Sequence, residues 1–316
     1  MNGLRVKVLV LAMAIVGAIA LPAKAVTDEE VLRAIEKAKE WLINQGQSGT
    51  WPQEKDYGGG PGNQIGGRSN MALYALAYVG EHPNRPVISA ALEASVARGT
   101  EKTYVRSLRT MALAILQTKV KSPRREVIHA ALEADAMWLV QAQGSHGGWS
   151  YNSLNGSAGR YDLSNTQMAI LALWQAELGG VEIPDSVWQR AQKLYYDLQQ
   201  ANGSWNYGQG APGADIGGRH AGYGSMTAAG LASIYIIADM LDLNSGCPCR
   251  GGKSSSDRSD LNRRMEPALK WLSDNFKVND NPGLESRQGG SWPLYWMYAA
   301  ERVGIAAGFK YFGSHD

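Results

Sequence analysis

The chain has 316 residues, 44% of them hydrophobic, so it can bury a sizeable core, and wholesale disorder is excluded. Its formal net charge of +2 excludes a strongly basic surface of the nucleic-acid-binding kind. Ten Trp and 14 Tyr stand against 3 Phe, with 37 Gly, a balance that calls for an architectural reason. In chain order, Arg5 and Lys7 precede an apolar run from Val8 to Ala20, and Ala23-Lys24-Ala25 offers small residues in an A-x-A frame. That pattern predicts a signal peptide over 1–25, cleaved after Ala25, and a chain exported to the periplasm or beyond the cell. The run is too short for a membrane span of ~20 residues, and no transmembrane segment is expected in the mature chain. Losing Arg5, Lys7 and Lys24 from the 31 basic residues leaves 28 against 29 acidic ones, so no nucleic-acid partner is expected.

Residues 26–316 read as one repeat domain in which two kinds of segment alternate. Charged, amphipathic stretches run over Asp28–Asn44, Arg124–Gln141, Asp185–Gln200 and Asp260–Asn275. The first opens on Thr27-x-x-Glu30, a capping-box pattern. Between them lie stretches without charge: Met71–Gly80, Thr110–Thr118, Ser164–Ala176 and Ser225–Ala238. A helix apolar all round must be buried on all sides. A ring of helical hairpins meets that demand, with apolar helices inside and amphipathic ones outside. The sequence thus predicts an all-α, α/α toroid of about five hairpins, the inner helices aligned on Met71, Met111, Met168, Met226 and Met297. A last inner segment begins near Pro293 and only Val303–Asp316 follows, so the ring is expected to be incomplete. The Gly/Ser/charge-rich stretch 244–260, with Cys247 and Cys249, is expected to be a flexible insert; two Cys without a suitably spaced His predict no metal site.

A shorter motif follows the outer helices. Gln45-x-x-x-Gly49-x-Trp51, Gln143-x-x-x-Gly147-x-Trp149 and Gln200-x-x-Gly203-x-Trp205 share the form Q-x2–3-G-x-W, and Gly290-x-Trp292 keeps its Gly and Trp. A helix end leaves unpaired backbone groups, which a Gln amide can satisfy while Gly permits a tight turn. These tryptophans are therefore expected to be structural. Three such motifs on alternating helices resemble the prenyltransferase and squalene-oxidase repeat proteins, typified by squalene–hopene cyclase. The resemblance implies a toroid with a central cavity and an Asp-x-Asp-Asp-Thr motif opening an inner helix. The matching stretch here is Asp162-Leu163-Ser164-Asn165-Thr166, with Ser164 where the resemblance calls for the protonating Asp. A serine hydroxyl cannot supply that acid, and the zinc ligands of protein prenyltransferases are missing as well.

Asp162 and Asn165, with His220, are the remaining candidates for catalysis, and Asp162 or Ser164 can equally serve as a helix cap. Pro61–Arg68 recurs as Pro212–Arg219, and Gly159-Arg160 holds a comparable place. Arg68, Arg160 and Arg219, with Gln167, are thus candidate ligand-binding residues on one rim, the arginines for an anion. The reading taken from this is an exported, non-cyclising, cyclase-like protein without a cofactor, binding an apolar or isoprenoid ligand or a protein partner. A terpenoid cyclase or prenyltransferase with another acid is one alternative. A carbohydrate-active α/α toroid is the other, with paired carboxylates as its expected chemistry.

Overall fold

A computed structural model describes residues 26–46, 49–51, 64–152, 161–208, 221–244, 255–285, 291–308 and 311–313. Among them are ten α-helices and no strand: α1 (Asp28–Gln45), α2 (Gly67–Tyr78), α3 (Pro86–Ala97), α4 (Thr103–Gln117), α5 (Arg124–Ala142), α6 (Leu163–Leu178), α7 (Asp185–Leu198), α8 (Gly224–Asn244), α9 (Ser255–Asn275) and α10 (Pro293–Ala307). They pair into five hairpins, odd-numbered helices outside and even-numbered helices inside. The inner layer runs α2, α4, α6, α8, α10, each packed on the next. The signal-peptide segment and both cysteines lie outside the described residues. The predicted insert 244–260 is shorter than expected, since α9 already begins at Ser255.

Burial follows the two sequence patterns. In α6, twelve side chains from Leu163 to Ala176 are buried, polar ones included. An 18-residue stretch of α8, Gly224–Leu241, is long and apolar enough to cross a membrane, yet 83% of it is buried in the protein's own core. It packs against α6, α7, α9 and α10. The methionine alignment holds in the middle of the ring only. Met111, Met168 and Met226 are buried, whereas Met71 and Met297 are 56% and 47% exposed, because α2 and α10 stand at the seam.

At that seam the inner layer meets itself. The Arg302 guanidinium of α10 donates to the hydroxyls of Tyr74 and Tyr78 of α2, at 3.4 and 3.3 Å, and lies over the Tyr78 ring. The outer layer stays open there. The capping box of α1 forms as the sequence predicts, but α1 buries none of its side chains, and Val31, Leu32, Ile35 and Trp41 face solvent. The first and fifth hairpins, expected to be separated by a gap in the ring, thus touch through their inner helices, while α1 lies exposed on the outside.

The Gln-Gly-Trp motif acts as the joint between hairpins. Nε1 of Trp51, Trp149 and Trp205 donates to the carbonyls of Leu42, Leu139 and Tyr195, near the end of the preceding outer helix, at 2.7–2.8 Å. The backbone N–H of each Trp donates to a hydroxyl in the first turn of the following inner helix: Ser69, Thr166 or Thr227. Those hydroxyls, rather than the methionines, mark equivalent positions. The motif glycines have φ of +75, +98 and +87, and each abuts the backbone of the next outer helix, at Ala90, Arg190 and Pro267. Only glycine satisfies both demands at once.

Candidate functional site

Three inner helices, α4, α6 and α8, start where the loop of the next hairpin holds them. Thr103 N–H donates to the Tyr151 carbonyl, Leu163 N–H to the Tyr207 carbonyl and Gly224 N–H to the Pro282 carbonyl, at 2.7–3.1 Å. These handovers bring the N-terminal ends of α4, α6, α8 and α10 around one cavity of about 270 Å³. Its walls are Tyr104, Tyr151, Ser164, Tyr207, Tyr223, Ser225, Met226, Trp292 and Tyr295. Seven of these nine carry a hydroxyl, so the cavity is aromatic in its surfaces and polar at its edges.

The hydroxyls form a network anchored on α6. Tyr151 and Tyr207 share a hydrogen bond of 2.7 Å, and Ser164 Oγ lies 3.3 Å from the Tyr207 hydroxyl. Ser164 Oγ also donates to Asp162 Oδ1 at 2.6 Å. The Asn165 backbone N–H reaches the same oxygen and its Nδ2 reaches Oδ2. Asp162 is the N-cap of α6, as its position in the sequence suggests. Burial pushes its carboxyl above the usual carboxylate range, while the hydrogen bonds from Ser164 and Asn165 hold it back. Burial likewise raises the phenols of Tyr104, Tyr151, Tyr207 and Tyr295, so all four are neutral hydrogen-bonding groups at ordinary pH. Tyr295 donates to Gln167 Oε1 at 2.7 Å, leaving Gln167 Nε2 and Asn165 Oδ1 buried without a hydrogen-bond partner in the protein.

Of the residues singled out from the sequence, Asp162, Asn165 and Gln167 gather behind this cavity. Arg68 is exposed in the first turn of α2. Arg160, Arg219 and His220 lie outside the described residues. Two assignments need correction. Gln199, not Gln200, is the fourth hairpin's counterpart of Gln143. Nε2 of Gln143 donates to the carbonyls of Gly147 and Val187, and Nε2 of Gln199 to those of Gly203 and Arg264. Gln200 Oε1 instead accepts from Gly222 N–H, while Gln45 is exposed. Trp292 is likewise not the fifth hairpin's structural tryptophan. Trp296 is 1% exposed and its Nε1 donates to the Lys277 carbonyl at 2.7 Å, whereas Trp292 is 47% exposed and lines the cavity.

The cavity tyrosines were not among the sequence candidates, yet a signal was present: Trp149-x-Tyr151 and Trp205-x-Tyr207 place a tyrosine two residues after the joint. Among the described residues no group of three or more His, Cys, Asp or Glu is assembled. Among the described residues that line the cavity there is no carboxylate.

No protein-family model and no curated protein matches the chain. The toroid implied by the sequence resemblance is present, without a family match to prenyltransferases or squalene cyclases. Among solved structures the chain is similar to a polysaccharide lyase, with a TM-score of 0.52 at 14% sequence identity over 89% of this chain and 86% of that one. At that identity the likeness is one of fold, the α/α toroid.

Proposed function

We propose that the chain is a carbohydrate-binding α/α toroid and that the tyrosine-lined cavity is its saccharide site. The observation that carries this reading is the wall composition, in which, among the described residues, aromatic surfaces alternate with hydroxyls and neither a charge nor an extended apolar face intervenes. A pyranose has the complementary character: its C–H faces pack on aromatic rings and its rim of hydroxyls both donates and accepts. The phenols, held neutral by burial, can do the same. A volume of about 270 Å³ suits one sugar unit of a longer chain. The fold likeness to a polysaccharide lyase agrees with this substrate class. An isoprenoid would bring no hydrogen-bonding group to walls of which seven residues in nine carry a hydroxyl. The fold likeness to a polysaccharide lyase makes elimination, beside hydrolysis, a cleavage chemistry to assay.

The test is titration calorimetry of the purified chain against hexasaccharides of glucose, xylose, mannose and N-acetylglucosamine, and against oligouronides. At least one should bind, and Tyr207→Phe should weaken it by roughly three- to tenfold, the worth of one hydrogen bond. In parallel, polysaccharides are assayed for new reducing ends and for the ultraviolet absorbance of unsaturated products. Binding of squalene or farnesyl derivatives with no saccharide bound would overturn the proposal.

A further inference from the structure

Trp292 combines three properties that the joint tryptophans lack. It lines the cavity while remaining 47% exposed, against 6% or less for Trp51, Trp149, Trp205 and Trp296. Its backbone is left-handed, φ 50 and ψ 59, and among the described residues no other non-glycine has positive φ. It also stands directly before Pro293, which itself disfavours compact backbone geometry at the preceding residue. A bulky aromatic at positive φ is a conformational outlier that persists only where its surroundings hold it, and such outliers gather at functional sites. A structural tryptophan has no need of this geometry, since Trp296 already closes the fifth hairpin from an ordinary helical position.

We infer that Trp292 is the stacking platform of the saccharide site, its backbone turned left-handed so that the indole borders the cavity where it meets solvent. This rests on the saccharide reading of the cavity and adds to it the residue that grips a sugar face. Tyr104 and Tyr295, on the first turns of α4 and α10, bring hydroxyl-bearing rings to the same cavity. The sugar would lie with its C–H face on the indole and its hydroxyl edge toward the Tyr151–Tyr207 pair. Such a platform selects for pyranoses whose substituents leave one face free, with little regard to the rest of the chain.

The experiment compares Trp292→Gly, Trp292→Phe and, as a joint control, Trp149→Ala, using melting temperature and calorimetric titration with the tightest-binding hexasaccharide of the panel above. Glycine accepts positive φ, so Trp292→Gly should keep or raise the melting temperature while weakening the hexasaccharide tenfold or more. Trp292→Phe should retain most of the affinity, and Trp149→Ala should lower the melting temperature sharply. A Trp292→Gly protein that binds as tightly as wild type overturns the platform and leaves the saccharide site standing. One that melts as low as Trp149→Ala shows a structural tryptophan and also overturns it. If wild type binds no saccharide in the panel, the saccharide reading fails and the platform falls with it.

Discussion

Replacing Gly147 by alanine adds one methyl group, and the joint between hairpins should magnify it. Gly147 has φ +98, and a Cβ there would sit 2.1 Å from the Arg190 carbonyl oxygen and 2.6 Å from its carbon. Gly180 is the matched control, at φ +94 with nothing closer than 3.8 Å. Both substitutions incur the left-handed cost of about 1–2 kcal/mol, offset by about 0.4–1 kcal/mol from the stiffer unfolded chain. Gly180→Ala should therefore cost about 0.5–1 kcal/mol. Gly147→Ala must in addition push α7 back by about an ångström, an overpacking cost of about 1–3 kcal/mol. That shift also loosens the bonds from Gln143 to the Gly147 and Val187 carbonyls, worth about 1 kcal/mol each. The expected gap between the two variants is about 2–4 kcal/mol, or roughly 3–6 °C in melting temperature for a chain of this size. Urea and thermal unfolding of both variants, followed by circular dichroism, measure it. Equal stabilities would refute the claim that the motif glycine exists for the close approach of the next outer helix.

Other outcomes follow from the same geometry. Asp135 is 1% exposed and takes hydrogen bonds of 2.6 Å from Arg106 and Arg109, the latter 6% exposed. Asp135→Ala should cost about 3–5 kcal/mol in urea unfolding, since it strands a buried guanidinium; a cost below 1 kcal/mol would contradict this. Because burial raises the Asp162 carboxyl pKa, its contribution to stability is present below the ordinary carboxylate pKa and lost as pH rises through the raised value. Asp162→Asn should remove that fall from the stability–pH profile, and an unchanged profile would count against it. In α1, Leu42 and Ile43 at the C-terminal end pack on the core while the side chains before them are largely exposed. A helix of this length is marginal in water without packing, so amides 31–40 should exchange with deuterium long before those of α8. Equal protection would show that α1 is docked along its length.

The alternation of charged and uncharged stretches made most hairpins legible, because an inner helix enclosed by its neighbours admits a charge only where a partner meets it, as Asp135 meets Arg109. It missed α3, an outer helix with Glu93 as its single charged residue, whose helical identity rests on Pro86 at its start and on the apolar face formed by Val87, Ile88, Ala91 and Leu92. The joint motif was legible as a motif but not in every residue. Gln199 and Gln200 are adjacent, and only the constant four-residue spacing to the glycine marks which one bridges the hairpins. Trp292 matched the motif by its glycine and went astray because Trp296, four residues on, makes the equivalent bond from inside the helix. The cavity was the least legible part. Its tyrosines come from four hairpins spread over residues 104–295, and only the packing of successive inner helices brings them together. Asp162 drew notice as the first Asp of a cyclase-like motif, and its observed work is to cap α6 and anchor the hydroxyl network.

The most direct measurement is a crystal structure of the protein grown with the hexasaccharide that binds it most tightly. The account expects a sugar ring in the cavity, one face on Trp292 and its hydroxyls within hydrogen-bond distance of Tyr151, Ser164 or Tyr207. A saccharide bound elsewhere on the toroid, or an apolar molecule filling the cavity in its place, would contradict it.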